Sequence, residues 1–173
     1  MDLPKRKAIR LPNYDYSSPG AYFVTICTQD KQNLFWKSDT NTDKHIEADS
    51  AVSQNETPLP ADLTKYGAVV NRAIKNIPAI YPDVILEKYV VMPNHIHLLL
   101  RIDGGEDGSA DTAPSVSVIV GQMKRWASKQ AGHTLWQKSF HEHVIRGERD
   151  FLEIWKYIDA NPYKWENDCY FVP

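Results

Sequence analysis

The stretch from Val84 to Ile102, VILEKYVVMPNHIHLLLRI, constrains the fold of this chain more than any other. Apolar and β-branched residues dominate on both sides of Pro93-Asn94, a composition that favours extended backbone. Two strands, 84–92 and 95–102, joined by so short a connection must lie side by side and antiparallel. Side chains in a strand alternate between faces. Ile96, Leu98, Leu100 and Ile102 therefore share one face, which has to meet a core. His95, His97, Leu99 and Arg101 share the other.

The remaining elements follow from periodicity. Residues 21–28, AYFVTICT, come after Pro19-Gly20 and read as a strand. Val70, Ala73, Ile74 and Ile77 recur at helical spacing within a helix expected over about 64–77, with Pro78 as its stop. Val116, Ile119, Val120, Met123 and Ala127 mark the buried face of a second helix, about 114–130, and Gly132 suits the left-handed turn that ends it. A short strand is expected near 143–146. A last helix spans about 148–160 and ends at Asn161-Pro162, because a residue before proline avoids helical angles. The order β-α-β-β-α-β-α predicts an α+β, ferredoxin-like βαββαβ antiparallel sheet. Both crossover helices would cover one face, leave the other open, and be followed by a C-terminal helix. A chain of 173 residues suits a single domain over 1–173, with polar loop insertions near 38–60 and 103–113.

Those two loops decide how to read the charge. The whole chain stands at −2. Residues 38–62 carry six acids against Lys44, and 103–111 carry four acids and no base, so the loops hold nine net negative charges and the remainder stands at +7. A basic body attracts a phosphate backbone. No apolar run is long enough to span a bilayer, and no apolar segment follows the basic N-terminus as in a secretory signal. Cys27 and Cys169 lack metal-site spacing and suit a reducing compartment. The expected location is cytoplasmic, with no membrane partner. No glycine-rich phosphate loop occurs, which argues against nucleotide hydrolysis.

His95 and His97 point the same way, two residues apart on one strand, close enough to grip one ion. By spacing alone they are equally well two surface histidines. In the last helix Phe151, Ile154, Trp155 and Ile158 form the buried stripe. Tyr157 falls on its flank, and Asn161 lies one turn further along the same side. A phenol can attack phosphorus and a carboxamide oxygen can bind a hard cation. The same spacing also fits a packed ring and a helix stop.

The segment Tyr89-Val-Val-Met-Pro-Asn-His-Ile-His-Leu, with Tyr157-Ile158 and Asn161-Pro162 downstream, resembles the HUH single-tyrosine transposases. The resemblance is strongest to the branch associated with repetitive extragenic palindromes (REPs). Tyr14-Asp-Tyr-Ser, Pro19-Gly-Ala-Tyr-Phe-Val-Thr-Ile-Cys-Thr, Trp136-Gln137 and Phe140-His-Glu-His-Val-Ile-Arg146 also fit, so it covers nearly the whole chain outside the acidic loops. It implies metal-dependent cleavage and rejoining of single-stranded, hairpin-containing DNA through a 5′-phosphotyrosine. Tyr157 would be the nucleophile, and His95, His97 and Asn161 would be ligands for Mg²⁺ or Mn²⁺. Whether one chain or two build the site, and whether the protein is a monomer or homodimer, stays open.

Candidate phosphate contacts are Arg101, Lys124, Arg125, Lys129, Arg146, Arg149 and the cluster Lys5-Arg6-Lys7. Trp126 and Trp136 either stack on bases or belong to the core. His141 and His143 repeat the His-x-His spacing, but Phe140, Val144 and Ile145 alternate less cleanly, which favours a structural or DNA-contact role. Two other classes compete with the strand transferase. One is a nucleic-acid-binding module without chemistry, which would show aromatics where His95, His97 and Arg101 stand. The other is a water-using metal phosphoesterase, for which Tyr157 would be structural.

Overall fold

The structure, a computed structural model, describes residues 18–37, 62–103 and 114–172. Lys5-Arg6-Lys7 and most of the two acidic stretches lie outside the described residues. The elements are β1 (Gly20–Cys27), α1 (Lys65–Lys75), α2 (Ile77–Ile80), β2 (Val84–Val91), β3 (His95–Ile102), α3 (Val116–Ala131), β4 (His141–Ile145) and α4 (Glu148–Ala160). The sheet order is β2-β3-β1-β4 with every neighbouring pair antiparallel. Each β-α-β crossover thus returns with one strand between its ends. This is the mixed α+β architecture that the periodicity predicts. No helix among the described residues is long and apolar enough to cross a membrane.

The predicted face of β3 is the heart of the core. Ile96, Leu98, Leu100 and Ile102 pack with Tyr22, Val24 and Ile26 of β1 beneath Val70 and Ile74 of α1 and Ile119, Val120 and Met123 of α3. Thr64 caps α1, its hydroxyl accepting from the Gly67 amide at 3.1 Å and donating to the Leu34 carbonyl at 2.6 Å. That cap pulls α1 onto the Leu34–Phe35 backbone, and a Cβ on Gly67 would run into the Phe35 carbonyl oxygen. Gly67→Ala is therefore expected to destabilise the fold by about 2–3 kcal/mol, since backbone cannot yield as a side chain does. A lower denaturant midpoint at unchanged slope would register the loss. An unchanged midpoint would mean that α1 does not approach so closely.

Three features differ from the sequence expectation. First, β2 does not alternate simply. Leu86 pairs with Leu100 but Lys88 pairs with Leu99, so Glu87 is an extra, bulged residue. Past the bulge, Tyr89 and Val91 turn to the main core while Val90 and Met92 turn to the other side. Second, the other face of the sheet is not open. Val90, Met92 and Leu99 form an apolar patch there, and α4 covers it with Ile158, flanked by Phe151, Ile154 and Trp155. An apolar patch on a sheet has to be buried against something, and the α4 stripe matches it.

Third, the prolines act differently from the expected way. Pro78 sits in the first turn of α2, where its missing N–H costs nothing. Asn161 keeps helical angles, φ −59° and ψ −46°. The α-helix nevertheless ends at Ala160, because Pro162 brings no N–H to continue the ladder. The chain goes on as a 3₁₀ turn over Pro162–Asn167. Gly132 closes α3 at φ 79°, the left-handed conformation that the sequence suggests.

Candidate active site

His95 and His97 share the face opposite the main core, as the alternation requires, but neither reaches solvent. They are 0% and 1% exposed. Their Nε2 atoms converge to 3.0 Å, and their Nδ1 atoms turn outward, to Asn94 Oδ1 at 2.9 Å and Thr25 Oγ1 at 2.8 Å. The cover comes from the chain after α4. The Tyr170 and Trp165 rings lie 4.6 and 6.0 Å from the His95 ring, and Phe23 stacks on His97 at 5.1 Å. Asn94 Nδ2 holds this segment down by donating to the Tyr170 carbonyl at 2.8 Å. Asn33 Nδ2 does so again at the Val172 carbonyl, 3.1 Å away. Burial, reinforced by Lys31, pushes His95 down to about 3. Burial and then the neighbouring His95 hold His97 well below the usual histidine range. Both rings are thus neutral, the form in which imidazole binds metals.

Tyr157 and Asn161, one turn apart on α4 and its end, reach the same point. The Tyr157 hydroxyl lies 3.3 Å from His97 Nε2 and 3.5 Å from Asp168 Oδ2. The residue as a whole is 40% exposed, so its oxygen faces both the histidines and solvent. Asn161 Nδ2 donates to Asp168 Oδ2 at 2.8 Å. Its Oδ1 is buried with no hydrogen-bond partner, an oxygen in want of a cation or donor. His95, His97 and Asp168 each offer a ligand atom within 4.8 Å of the others. Two neutral imidazoles, a carboxylate and an unpartnered amide oxygen are a donor set that fits a divalent cation. Burial, then the Asp168 carboxylate, raises the Tyr157 phenol well above the usual tyrosine range. All of these groups come from one chain.

Asp168 was not foreseen. It follows a 3₁₀ turn with no periodicity of its own, and a lone Asp in such a segment carries no signal. Thr25 and Asn94 were also missed as partners of the histidines. Thr25 is found only through the β1–β3 register, in which it faces His97.

The bulge in β2 supplies another unforeseen contact. Lys88 is buried on the α4 side, 2.7 Å from Asp159 and 4.8 Å from the Trp155 ring centre. This pins α4 two residues from Tyr157. Removing Asp159 strands a buried ammonium, whereas removing Lys88 leaves a half-exposed carboxylate that water can reach. Asp159→Asn is therefore expected to cost about 3 kcal/mol and Lys88→Met only about 1 kcal/mol. Equal losses in urea titrations, or the reverse order, would contradict a desolvated Lys88.

The expected phosphate contacts scatter. Arg101 is held at 2.6 Å by both Glu87 and Asp103. Lys124 donates to the carbonyls of Gln137 and Lys138. Arg125 and Lys129 lie on α3, across the sheet from Tyr157, in a groove with the half-exposed Trp126. Arg146 and Arg149 are exposed at the start of α4, Arg149 beside Glu153 at 2.9 Å. Trp136 is core, 5.3 Å from Phe35. His141 is exposed, and His143 bonds Asp150 at 2.9 Å. Among the described residues neither joins the His95–His97–Asp168 group. Cys27 is partly exposed rather than core.

Two Haemophilus influenzae proteins are related over most of their lengths. One, without assigned function, is 32% identical over 186 residues, covering 96% of this chain and 93% of its own. The other, provisionally named a REP-associated tyrosine transposase, is 25% identical over 167 residues, covering 89% of this chain and 77% of its own. No family model matches the chain. Among solved structures, a REP-associated tyrosine transposase bound to a REP hairpin superposes with a TM-score of 0.61 at 21% identity, covering 90% of this chain and 74% of that one. That structural likeness speaks to the fold, the one described above from its own residues. Relatedness along nearly the full length and a common fold agree with the motif reading, and the chain belongs to the family of REP-associated tyrosine transposases.

Proposed function

We propose that the protein is a transposase-type enzyme that cleaves and rejoins single-stranded DNA with Tyr157 as nucleophile. The observation that carries this reading is the Tyr157 hydroxyl, part-exposed and 3.3 Å from the Nε2 of a buried, converging histidine pair. The Tyr157 oxygen would form a bond to the scissile phosphorus as the bond to the 3′-oxygen breaks. The result is a 5′-phosphotyrosine and a free 3′-hydroxyl, and attack by another 3′-hydroxyl would reverse the step. His95, His97, Asp168 and the Asn161 Oδ1 would hold Mg²⁺ or Mn²⁺. That ion would polarise the phosphate and offset the charge that develops on its oxygens. Phe23 and the C-terminal aromatics exclude water from the histidines, and Lys88 with Asp159 keeps α4 seated so that the phenol stays aimed.

The structural relative binds a REP hairpin, which makes a hairpin-bearing single strand the substrate proposed here. Arg146 and Arg149, exposed at the start of the tyrosine helix, are the cations best placed to meet its phosphates. Lys124 is spent on loop carbonyls, and we assign it to holding that loop.

The test is a covalent adduct. End-labelled hairpin oligonucleotides from the flanks of the gene, incubated with protein and Mn²⁺, should give a protein–DNA band on a denaturing gel. Excess chelator should remove that band while native binding persists. Cleavage without any adduct would transfer the chemistry to water. Binding with neither cleavage nor adduct would reduce the protein to a binding module.

A further inference from the structure

We propose that Thr25 and Asn94 are positioning residues that lock both histidines in the Nδ1-protonated tautomer, so that two bare Nε2 lone pairs face each other. The inference rests on the reading of this pair as a metal site and deepens it.

The proton inventory is closed on the Asn94 side. Asn94 is fully buried. Its Nδ2 donates to two backbone carbonyls, Lys31 at 3.2 Å and Tyr170 at 2.8 Å. Turning the amide over would forfeit both bonds and set its oxygen against two carbonyl oxygens. Oδ1 is thus what faces His95 Nδ1 at 2.9 Å, and an amide oxygen can only accept. The proton between them belongs to His95 Nδ1, which leaves His95 Nε2 bare.

Thr25 closes the other side. It is buried, and its hydroxyl lies 2.8 Å from His97 Nδ1. A hydroxyl has one proton to give. The Tyr170 phenol is a hydrogen-bonding neighbour of the same hydroxyl and takes that proton, so toward His97 the Thr25 oxygen accepts. His97 then also carries its proton on Nδ1. Two unprotonated nitrogens at 3.0 Å repel each other, and a cation shared between them relieves the repulsion. Partners of this kind set the tautomer and orientation of metal-bound histidines in general, and losing one costs roughly 10–100-fold in metal affinity. Tyr170 terminates both sides, with its carbonyl on Asn94 and its phenol beside Thr25. The segment that covers the histidines is therefore also the one that orients them.

The test begins on metal-free protein labelled with ¹⁵N-histidine. Long-range proton–nitrogen correlation spectra should show His95 and His97 neutral with the proton on Nδ1. A proton on Nε2 of either ring would overturn the proposal, whatever the metal does. Mn²⁺ affinity is then followed by the electron paramagnetic resonance of the free ion. Thr25→Val keeps a β-branched residue in β1 and removes the acceptor. It should weaken Mn²⁺ binding about 10–100-fold and mix the His97 tautomers. Thr25→Ser should restore wild-type binding. Equal affinity in Thr25→Val and wild type would overturn the proposal. If wild type takes up no Mn²⁺, the metal reading fails, and the tautomer spectra still decide the roles of Thr25 and Asn94.

Discussion

Tyr157→Phe is expected to lower covalent-adduct formation by at least about a thousandfold, since losing a nucleophile removes its whole reaction path. The substitution deletes one oxygen and leaves the ring in place. That ring sits edge-on to Phe23 at 6.0 Å and 5.2 Å from the His97 ring, contacts that Phe retains. The lost hydroxyl contacts are long, 3.3 Å and 3.5 Å, so stability should move by no more than about 0.5 kcal/mol. Binding of hairpin DNA should also be unchanged, because the bound phosphates meet cations rather than the phenol. Burial and the Asp168 carboxylate oppose ionisation of Tyr157, so the phenol waits protonated and reacts only where positive charge offsets the one it develops. Adduct surviving in Tyr157→Phe would point to Tyr170, whose ring lies 4.6 Å from His95 and whose phenol burial pushes up to about 12. Cleavage surviving without adduct would point to water.

How far the sequence carries this site depends on the kind of residue. The histidines were legible because β3 alternates cleanly, and alternation fixes which side chains share a face. Tyr157 and Asn161 were legible because a four-residue apolar stripe defines the flank of a helix. Asp168 was not, because a carboxylate in a 3₁₀ turn has no period, and only the folding back of residues 162–172 over β3 brings it to the pair. That same fold-back is why the histidines are buried rather than exposed. Trp165, Tyr170 and Phe171 were its trace in the sequence, three aromatics after a proline stop with nothing else to cover. Lys88 illustrates another limit. Counted from Val84 and Leu86, strict alternation places it in the main core, which a lysine would not accept. Glu87-Lys88 in the middle of an apolar strand was in fact the sign of a bulge.

Metal uptake should show as stability before it shows as catalysis. Two neutral imidazoles buried with their Nε2 atoms at 3.0 Å, beside an amide oxygen without a partner, cost the metal-free fold free energy. A cation that binds the folded chain alone returns that cost as RT ln(1 + [M]/Kd), about 2.7 kcal/mol at a hundredfold excess over Kd. At about 2–4 °C per kcal/mol for a chain of this size, the unfolding midpoint should rise by about 5–10 °C with Mn²⁺. Mg²⁺ should raise it less, because imidazole nitrogen suits the softer ion. His97→Ala removes one of the converging nitrogens and should abolish the shift, whatever it does to the metal-free midpoint. The difference between midpoints with and without ion is therefore the quantity to compare, since the cavity left by the ring and the lost Phe23 stacking enter both terms alike. Asp168→Asn, which keeps the partner for Asn161 but removes a charge, should retain part of the shift. A shift of full size in His97→Ala would place the ion elsewhere on the protein. No shift in wild type, together with chelator-sensitive adduct formation, would mean that the phosphate of the bound DNA completes the coordination. The four protein groups would then be only part of the ion's shell.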